Sequence, residues 1–334
     1  MKTAVIGAGS WGTALAIVLA RQGHEVALWS RGEALSQRLA NERENTTYLA
    51  GIKLPDSIGP THRLTDCLSA EIILLVPPSI ALRSIVTDMA KVGFSSQCIL
   101  ANCTKGIEFE TGKRMTQIVG EFFPSNPIAV LSGPSHAEEV ARQRPTCVVL
   151  GSIDHQVAVD LQRALSGSAF RAYTSDDVAG IELGGALKNI FAIAAGVSDG
   201  LGLGDNTKAA LVTRALAEMV RLGVSLGGRR ETFQGLSGIG DLMVTCFSRH
   251  SRNRGLGERV ARGETLAHIA NSTKMVAEGV PATRSARQCA LHAGIHTPII
   301  EEIYSILYEN AQPAEAMRRL LARDPRPESD SLCC

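Results

Sequence analysis

The chain has 334 residues, enough for two domains, and its 34 Lys plus Arg almost balance 33 Asp plus Glu. That balance argues against a basic nucleic-acid groove or a polybasic membrane-surface protein. Eight cysteines without C-x-x-C spacing and eight histidines without H-E-x-x-H spacing give no disulfide framework and no expected metal site.

The first element is the most informative. Residues 3–6 read as a short buried strand, and Gly7, Gly9 and Gly12 follow it as G-x-G-x-x-G. A helical pattern takes over from Trp11, with Leu15, Ile17, Val18 and Leu19 available to an inner face. In this strand–turn–helix setting each glycine has a physical task. Gly7 permits the tight turn, Gly9 lets backbone approach a pyrophosphate, and Gly12 lets helix and strand pack closely. The helix start adds free N–H groups and partial positive charge. The pattern predicts a dinucleotide site.

Gly23 closes the next turn, and residues 24–29 form a second strand. In the NAD form of this arrangement an acidic residue commonly binds the ribose 2′-hydroxyl, roughly 20 residues past the glycines. Here Ser30 and Arg31 stand at that point, and no carboxylate occurs before Glu33. A hydroxyl and a guanidinium suit a 2′-phosphate, so NADPH is favoured and NADH tolerated. The alternative for Arg31 is a solvated residue at a helix start.

Further strands are expected at 71–76 (stopped by Pro77-Pro78), 97–101, 128–131 and 146–150, with a weaker one at 168–173. Helical stretches such as 79–92 and 154–166 separate most of them. Such alternation predicts a mostly parallel sheet covered on both faces. Near Ser175 the character changes. From 177 to 321 there is almost no strand signal, and helical spacing dominates, as at 206–222, 256–262, 275–292 and 299–308. Thr297-Pro298 supplies a cap and a first-turn proline for the last of these.

The expected fold class is therefore α/β plus all-α. A Rossmann-type parallel sheet fills residues 1–175, and an all-helical domain fills 176–334, with a frayed tail ending in Cys333 and Cys334. Met1-Lys2 lead directly into the first strand, so no signal or transit peptide is expected. The apolar stretch 178–197 is interrupted by Glu182 and Lys188, which makes it a poor membrane span. A cytoplasmic protein is expected.

Lys188 is the second informative residue. Its helix is apolar or small nearly all round, so it should be buried. A buried ammonium is costly, and its pKa should fall unless an anion compensates. Such a lysine can donate a proton to a carbonyl oxygen as hydride reaches the carbon, and Asn189 beside it adds a neutral donor and acceptor. The alternative is a snorkelling lysine. Farther on, Asp241 and Thr245 stand four apart and could share a helical face. Ser251, Arg252 and Asn253 can offer hydroxyl, guanidinium and amide groups to a phosphate. On its own the segment 249–254 could equally be a solvated basic loop.

Several segments occur together and in order: Gly-Ala-Gly-Ser-Trp-Gly-Thr-Ala-Leu-Ala at 7–16, Thr-Lys-Gly at 104–106, Leu-Ser-Gly-Pro-Ser at 131–135 and Leu-Lys-Asn at 187–189. Gly-Asp-Leu at 240–242, Ser-Arg-Asn at 251–253 and Glu-Gly at 278–279 complete the series. In this the chain resembles the bacterial NAD(P)-dependent glycerol-3-phosphate dehydrogenase family from about residue 2 to about residue 310. The sequence does not fix the oligomeric state, although a homodimer would be ordinary; the resemblance implies reduction of dihydroxyacetone phosphate to sn-glycerol 3-phosphate for phospholipid synthesis. It implies Lys188 as general acid/base, Asp241 orienting it, and Lys105 meeting both substrate and nicotinamide. Substrate contacts extend to Gly133, Ser135, Asn189 and Thr245, with Ser251, Arg252 and Asn253 on the phosphate. On the cofactor side it implies Gly7, Gly9, Ser10, Trp11, Gly12, Arg31, Tyr48, Lys105, Ala137, Arg252, Val276 and Glu278.

The nearest alternative is a two-domain dehydrogenase acting on a β-hydroxy acid such as 6-phosphogluconate, which would have to bind a carboxylate. The Asp241–Asn253 segment favours the phosphate ketone. A non-catalytic NAD(P)H sensor is the alternative from another class, and it would leave Lys188 without a chemical role.

Overall fold

The computed structural model describes residues 1–273, 276–324 and 327–328; Met275, Cys333 and Cys334 lie outside the described residues. The first half alternates strands and helices: β1 (Lys2–Ile6), α1 (Ser10–Arg21), β2 (Glu25–Trp29), α2 (Glu33–Glu42), β3 (Glu44–Asn45), β4 (Leu49–Lys53) and β5 (Ile58–Thr61). There follow β6 (Ile72–Leu75), α3 (Leu82–Val92), β7 (Ile99–Asn102), α4 (Met115–Phe122), β8 (Ile128–Ser132), α5 (Ala137–Ala141), β9 (Thr146–Gly151), α6 (His155–Leu165) and β10 (Phe170–Ser175). Eight of the strands form one sheet in the order β10-β9-β8-β7-β6-β1-β2-β5, and β3 pairs with β4 in a separate small hairpin. Apolar layers cover both faces of the sheet.

Two elements escape the sequence pattern. β5 is only Ile-Gly-Pro-Thr, and its central Gly59-Pro60 reads as a turn rather than a strand. Its Pro60 is tolerated because β5 is an edge strand that pairs with β2 alone. The β3–β4 hairpin is short and polar, with little alternation to detect.

All pairs in the large sheet are parallel except β8 with β9. The five-residue α5 is too short for a crossover, so the chain turns back beside β8. β9 and β10 therefore run against the other strands, and β10 ends at the amino edge of the sheet. From there α7 (Val178–Gly200) must climb to reach the carboxyl edge. Ten residues of helix rise about 15 Å, close to the length of a five-residue strand at about 16 Å. The climb is visible in the packing: Gly185 of α7 already lies against Ser132, the last residue of β8.

α7 is the axle of the helical half and is buried continuously from Gly180 to Ser198. Among the described residues it is the one helix that by length and composition alone could cross a membrane, but it lies buried inside the protein, in keeping with the expectation that it is a poor span. Its apolar surface is taken up by the core of the second half instead. Around it pack α8 (Gly204–Ser225), α9 (Arg230–Phe233), α10 (Asp241–Phe247), α11 (Arg252–Ala261), α12 (Leu266–Asn271), α13 (Gly279–Ala293), α14 (Pro298–Tyr308) and α15 (Pro313–Leu321). α11 approaches α7 closely enough that a Cβ on Gly196 would sit 1.9 Å from Arg254 O, and one on Gly257 2.1 Å from Ile193 O.

Pro298 opens α14 as the sequence suggests, but the Thr297 side chain makes no capping bond. The carboxylate of Glu218 on α8 takes that place. It accepts the N–H groups of Ile299 and Ile300 at 3.0 and 2.9 Å.

Candidate active site

A cleft of about 580 Å³ runs along the carboxyl edge of the sheet, walled by the segments after β1, β6, β7 and β8 on one side and by α7, α10 and α11 on the other. It lies where the strand order reverses between β1 and β6, which is where open α/β sheets bind ligands.

At one end the glycine motif behaves as its spacing requires. Gly7 has φ +122, and a Cβ there would meet Val76 O at 2.7 Å; a Cβ on Gly12 would sit 1.8 Å from Gly7 O. Gly9 faces nothing within 4 Å, so its backbone is open to a ligand. The first turn of α1 has no side-chain cap, which leaves its N–H groups for an anion. Ser10 and Trp11 line the cleft beside it, and the buried Trp11 Nε1–H has no partner among the described residues. These features fit a dinucleotide pyrophosphate. Arg31 and Tyr48 line the same end. The exposed Arg31 guanidinium reaches Ser84 Oγ at 3.4 Å, and the Ser30 hydroxyl is turned to Gly32 O at 3.0 Å.

Val276, Glu278 and Ala137 also line the cleft. Glu278 does not reach Arg31 but grips the segment after β6, accepting from Ser79 N at 3.1 Å and Ser79 Oγ at 2.6 Å. Burial pushes its carboxyl up, against the opposing effect of those bonds and of Arg252.

The other end holds a cluster of charges. Lys188 Nζ contacts Asp241 Oδ1 directly and donates to Thr245 Oγ1 at 2.8 Å. Lys105 Nζ donates to Asp241 Oδ2 at 2.6 Å and to Gly133 O at 3.2 Å. Asp241 is fully buried behind the cleft wall, and one turn of π-helix at Leu236–Gly240 delivers it. Such turns are often found at functional sites. Burial brings Lys188 down to about 7, with Asp241 opposing that fall and Lys105 adding to it. Burial alone would raise Asp241, but the two ammonium groups outweigh it and hold the carboxyl below its ordinary value.

Ser135 lines the cleft and turns its hydroxyl to Gly133 O at 2.9 Å, whereas Gly133 lies behind the wall. Asn189 Oδ1 accepts from Asn253 Nδ2, and Asn253 Oδ1 accepts from Gly279 N, both at 2.9 Å. The Asn253 side chain thus ties α7, α11 and α13 together. Ser251 caps α11 by accepting from Arg254 N at 3.2 Å. What faces the cleft here is the Arg252 side chain and the N-terminal turn of α11.

Sequence reasoning missed Ser79, His136 and His250, although all three lie in or beside the cleft. The hard stop at Pro77-Pro78 marks the carboxyl end of β6 and could have drawn attention to Ser79. It also missed the support under Lys105. Glu182 of α7 accepts from Thr116 N at 2.8 Å, Arg114 at 2.6 Å and Asn102 Nδ2 at 3.3 Å, and Asn102 in turn holds Thr104 through two bonds.

The model of the NAD-dependent glycerol-3-phosphate dehydrogenase N-terminus matches residues 2–158, and that of the C-terminus matches residues 177–318. The chain is 45% identical over 334 residues to a glycerol-3-phosphate dehydrogenase [NAD(P)+] of Chlorobium luteolum, covering 99% of this chain and 100% of the relative. A protein of the same name from Moorella thermoacetica is 47% identical over 329 residues, covering 98% of each. The crystal structure of glycerol-3-phosphate dehydrogenase from Coxiella burnetii superposes with a TM-score of 0.94 at 39% identity, over 96% of this chain and 99% of that one. The two halves of the chain, the cleft between them and these relatives agree, and the chain belongs to the NAD-dependent glycerol-3-phosphate dehydrogenase family.

Proposed function

We propose that Lys188, held by Asp241, is the general acid/base of the family's reaction in this chain, the interconversion of dihydroxyacetone phosphate and sn-glycerol 3-phosphate with NAD(P). The observation that carries this reading is the buried contact of Lys188 with Asp241 and Thr245 on the wall of the dinucleotide cleft. In the reduction, a nicotinamide held in the cleft would supply the hydride that C2 of the ketone receives. Negative charge then builds on the ketone oxygen, and Lys188 stabilises it and hands over the proton. Asp241 favours the ammonium form that this step needs. Lys105 occupies the other Asp241 oxygen, which fixes the carboxylate between two cations. Arg252 and the start of α11, with Ser251 and Asn253, anchor the remote phosphate and so orient the ketone.

In this reading residues 1–175 hold most of the cofactor, and 176–334 supply the anchor, the catalytic lysine and the remaining cofactor contacts. Gly7, Gly9, Gly12, Ser10 and Trp11 cradle the pyrophosphate, with Ala137, Val276 and Glu278 along the rest of the cofactor. Ser30 and Arg31 favour NADPH over NADH. Family membership further supports a cytoplasmic homodimer that supplies sn-glycerol 3-phosphate for phospholipid synthesis.

The deciding experiment follows oxidation of NADPH by dihydroxyacetone phosphate in the wild type and Lys188→Ala. Turnover that collapses at least a hundredfold in a folded Lys188→Ala protein supports the assignment. Turnover within a few-fold of wild type in that variant overturns it.

A further inference from the structure

His136 stands in the turn between β8 and α5, in the half of the chain that carries the sheet, yet its ring meets the other half. Its Nε2 lies 3.5 Å from Val244 O on α10, and its ring centroid is 5.9 Å from that of His250, tilted by 55°. His250 is followed directly by Ser251, Arg252 and Asn253, and both imidazoles line the same cleft as Lys188 and Arg252. The ring thus reaches across the cleft mouth to the start of α11.

We propose that His136 is a specificity-determining residue for the phosphate ester, completing from the sheet side the anchor that α11 provides from the helical side. The inference rests on the reading of Ser251, Arg252 and Asn253 as that anchor.

Three observations carry it. Among the described residues the one polar contact of the ring is long, at the limit of a hydrogen bond, and it uses Nε2, so Nδ1 is left for a ligand. The turn is fixed on both sides of His136, by the Ser135 hydroxyl on Gly133 O and by α5 beginning at Ala137, so the ring is held in place. The groups acting on it electrostatically are Lys188 on α7, Asp241 on α10 and Glu138 on α5. Burial, with the Lys188 ammonium, keeps the imidazole below its ordinary value. A phosphate dianion arriving beside it reverses that balance and favours an Nδ1–H donor. The ring therefore responds to the anionic end of the substrate in a way that a purely apolar side chain could not.

The test compares wild type with His136→Phe, which keeps a ring, and His136→Asn, which keeps a polar group near the Nδ1 position. The readouts are KM for dihydroxyacetone phosphate, kcat, KM for NADPH, and Ki for inorganic phosphate as a competitive inhibitor. The expected result in His136→Phe is about a tenfold rise in both KM for the substrate and Ki for phosphate, with kcat and KM for NADPH within twofold. His136→Asn should recover most of that loss. An unchanged phosphate Ki in His136→Phe overturns the proposal, whether KM moves or not, and so does a loss confined to NADPH. Arg252→Ala measured alongside separates the two readings. If it raises the phosphate Ki while His136→Phe does not, only the histidine assignment falls; if neither does, the anchor falls with it.

Discussion

The carboxylate of Glu218, midway along α8, accepts the backbone N–H of Ile299 at 3.0 Å, so α14 is capped by a side chain from another helix. The neighbouring Ile300 N–H shares it. This acid is buried, and burial pushes its pKa up to about 7 from 4.5, the two N–H bonds opposing the rise. The folded state thus binds a proton that the unfolded chain has released between about 4.5 and 7. Its contribution to stability is full below the lower value and is lost as pH rises through the upper one. The loss is on the order of 3 kcal/mol. Urea midpoints from pH 5 to pH 8 should fall less in Glu218→Gln, which keeps an acceptor, than in wild type. Parallel curves would show that Glu218 does not titrate in this range.

With Lys188 as the proposed general acid, its contact with Asp241 should set the pH dependence of reduction. Lys188 sits at about 7, so kcat/KM for dihydroxyacetone phosphate should decline as pH rises through neutrality and the ammonium is lost. Asp241 opposes the effect of burial on Lys188. Asp241→Asn should therefore move that decline to lower pH and cost about a hundredfold in kcat/KM at pH 7.5. A variant with the wild-type profile would remove Asp241 from its orienting role.

Arg31 stands exposed at the end of the cleft proposed for the cofactor, with only a long contact to Ser84 among the described residues. Replacing it by Ala should raise KM for NADPH about tenfold, as expected for losing a charged hydrogen bond, and leave KM for NADH nearly unchanged. Steady-state kinetics with the two cofactors decide it, and an unaltered preference would point to another discriminator.

The α7–α11 contact has no room for a side chain at Gly257. Gly257→Ala should destabilise the protein by about 1–3 kcal/mol through overpacking, visible as a drop in Tm of several degrees. Because α11 begins at Arg252, the same substitution should raise KM for the substrate. An Ala variant with wild-type Tm and KM would mean that the helices separate without cost.

The parallel sheet and the helical half were legible because buried strands and amphipathic helices write their periods into the chain. β5 was not, because an edge strand needs neither continuous apolar residues nor the absence of proline. Lys188 could be singled out as a lone cation in an apolar helix, and the glycine motif by its spacing after a strand. That Lys188 and Lys105 would share the two oxygens of Asp241 could not be read, since the three residues stand on three segments far apart in the chain. Glu218 was hidden for the same reason. Local rules point to Thr297 as the cap, while the group that caps α14 lies 81 residues away from Ile299.

The reversed strands β9 and β10 make α7 a ruler of fixed length between the lower edge of the sheet and the chemistry at its upper edge. A residue removed between Val178 and Lys188 would lower the ammonium by about 1.5 Å and turn it about 100° around the helix axis, away from Asp241. The loops around the cleft can change in length without this penalty. This stretch of helix cannot, so insertions and deletions tolerated elsewhere in the chain should be selected against within it.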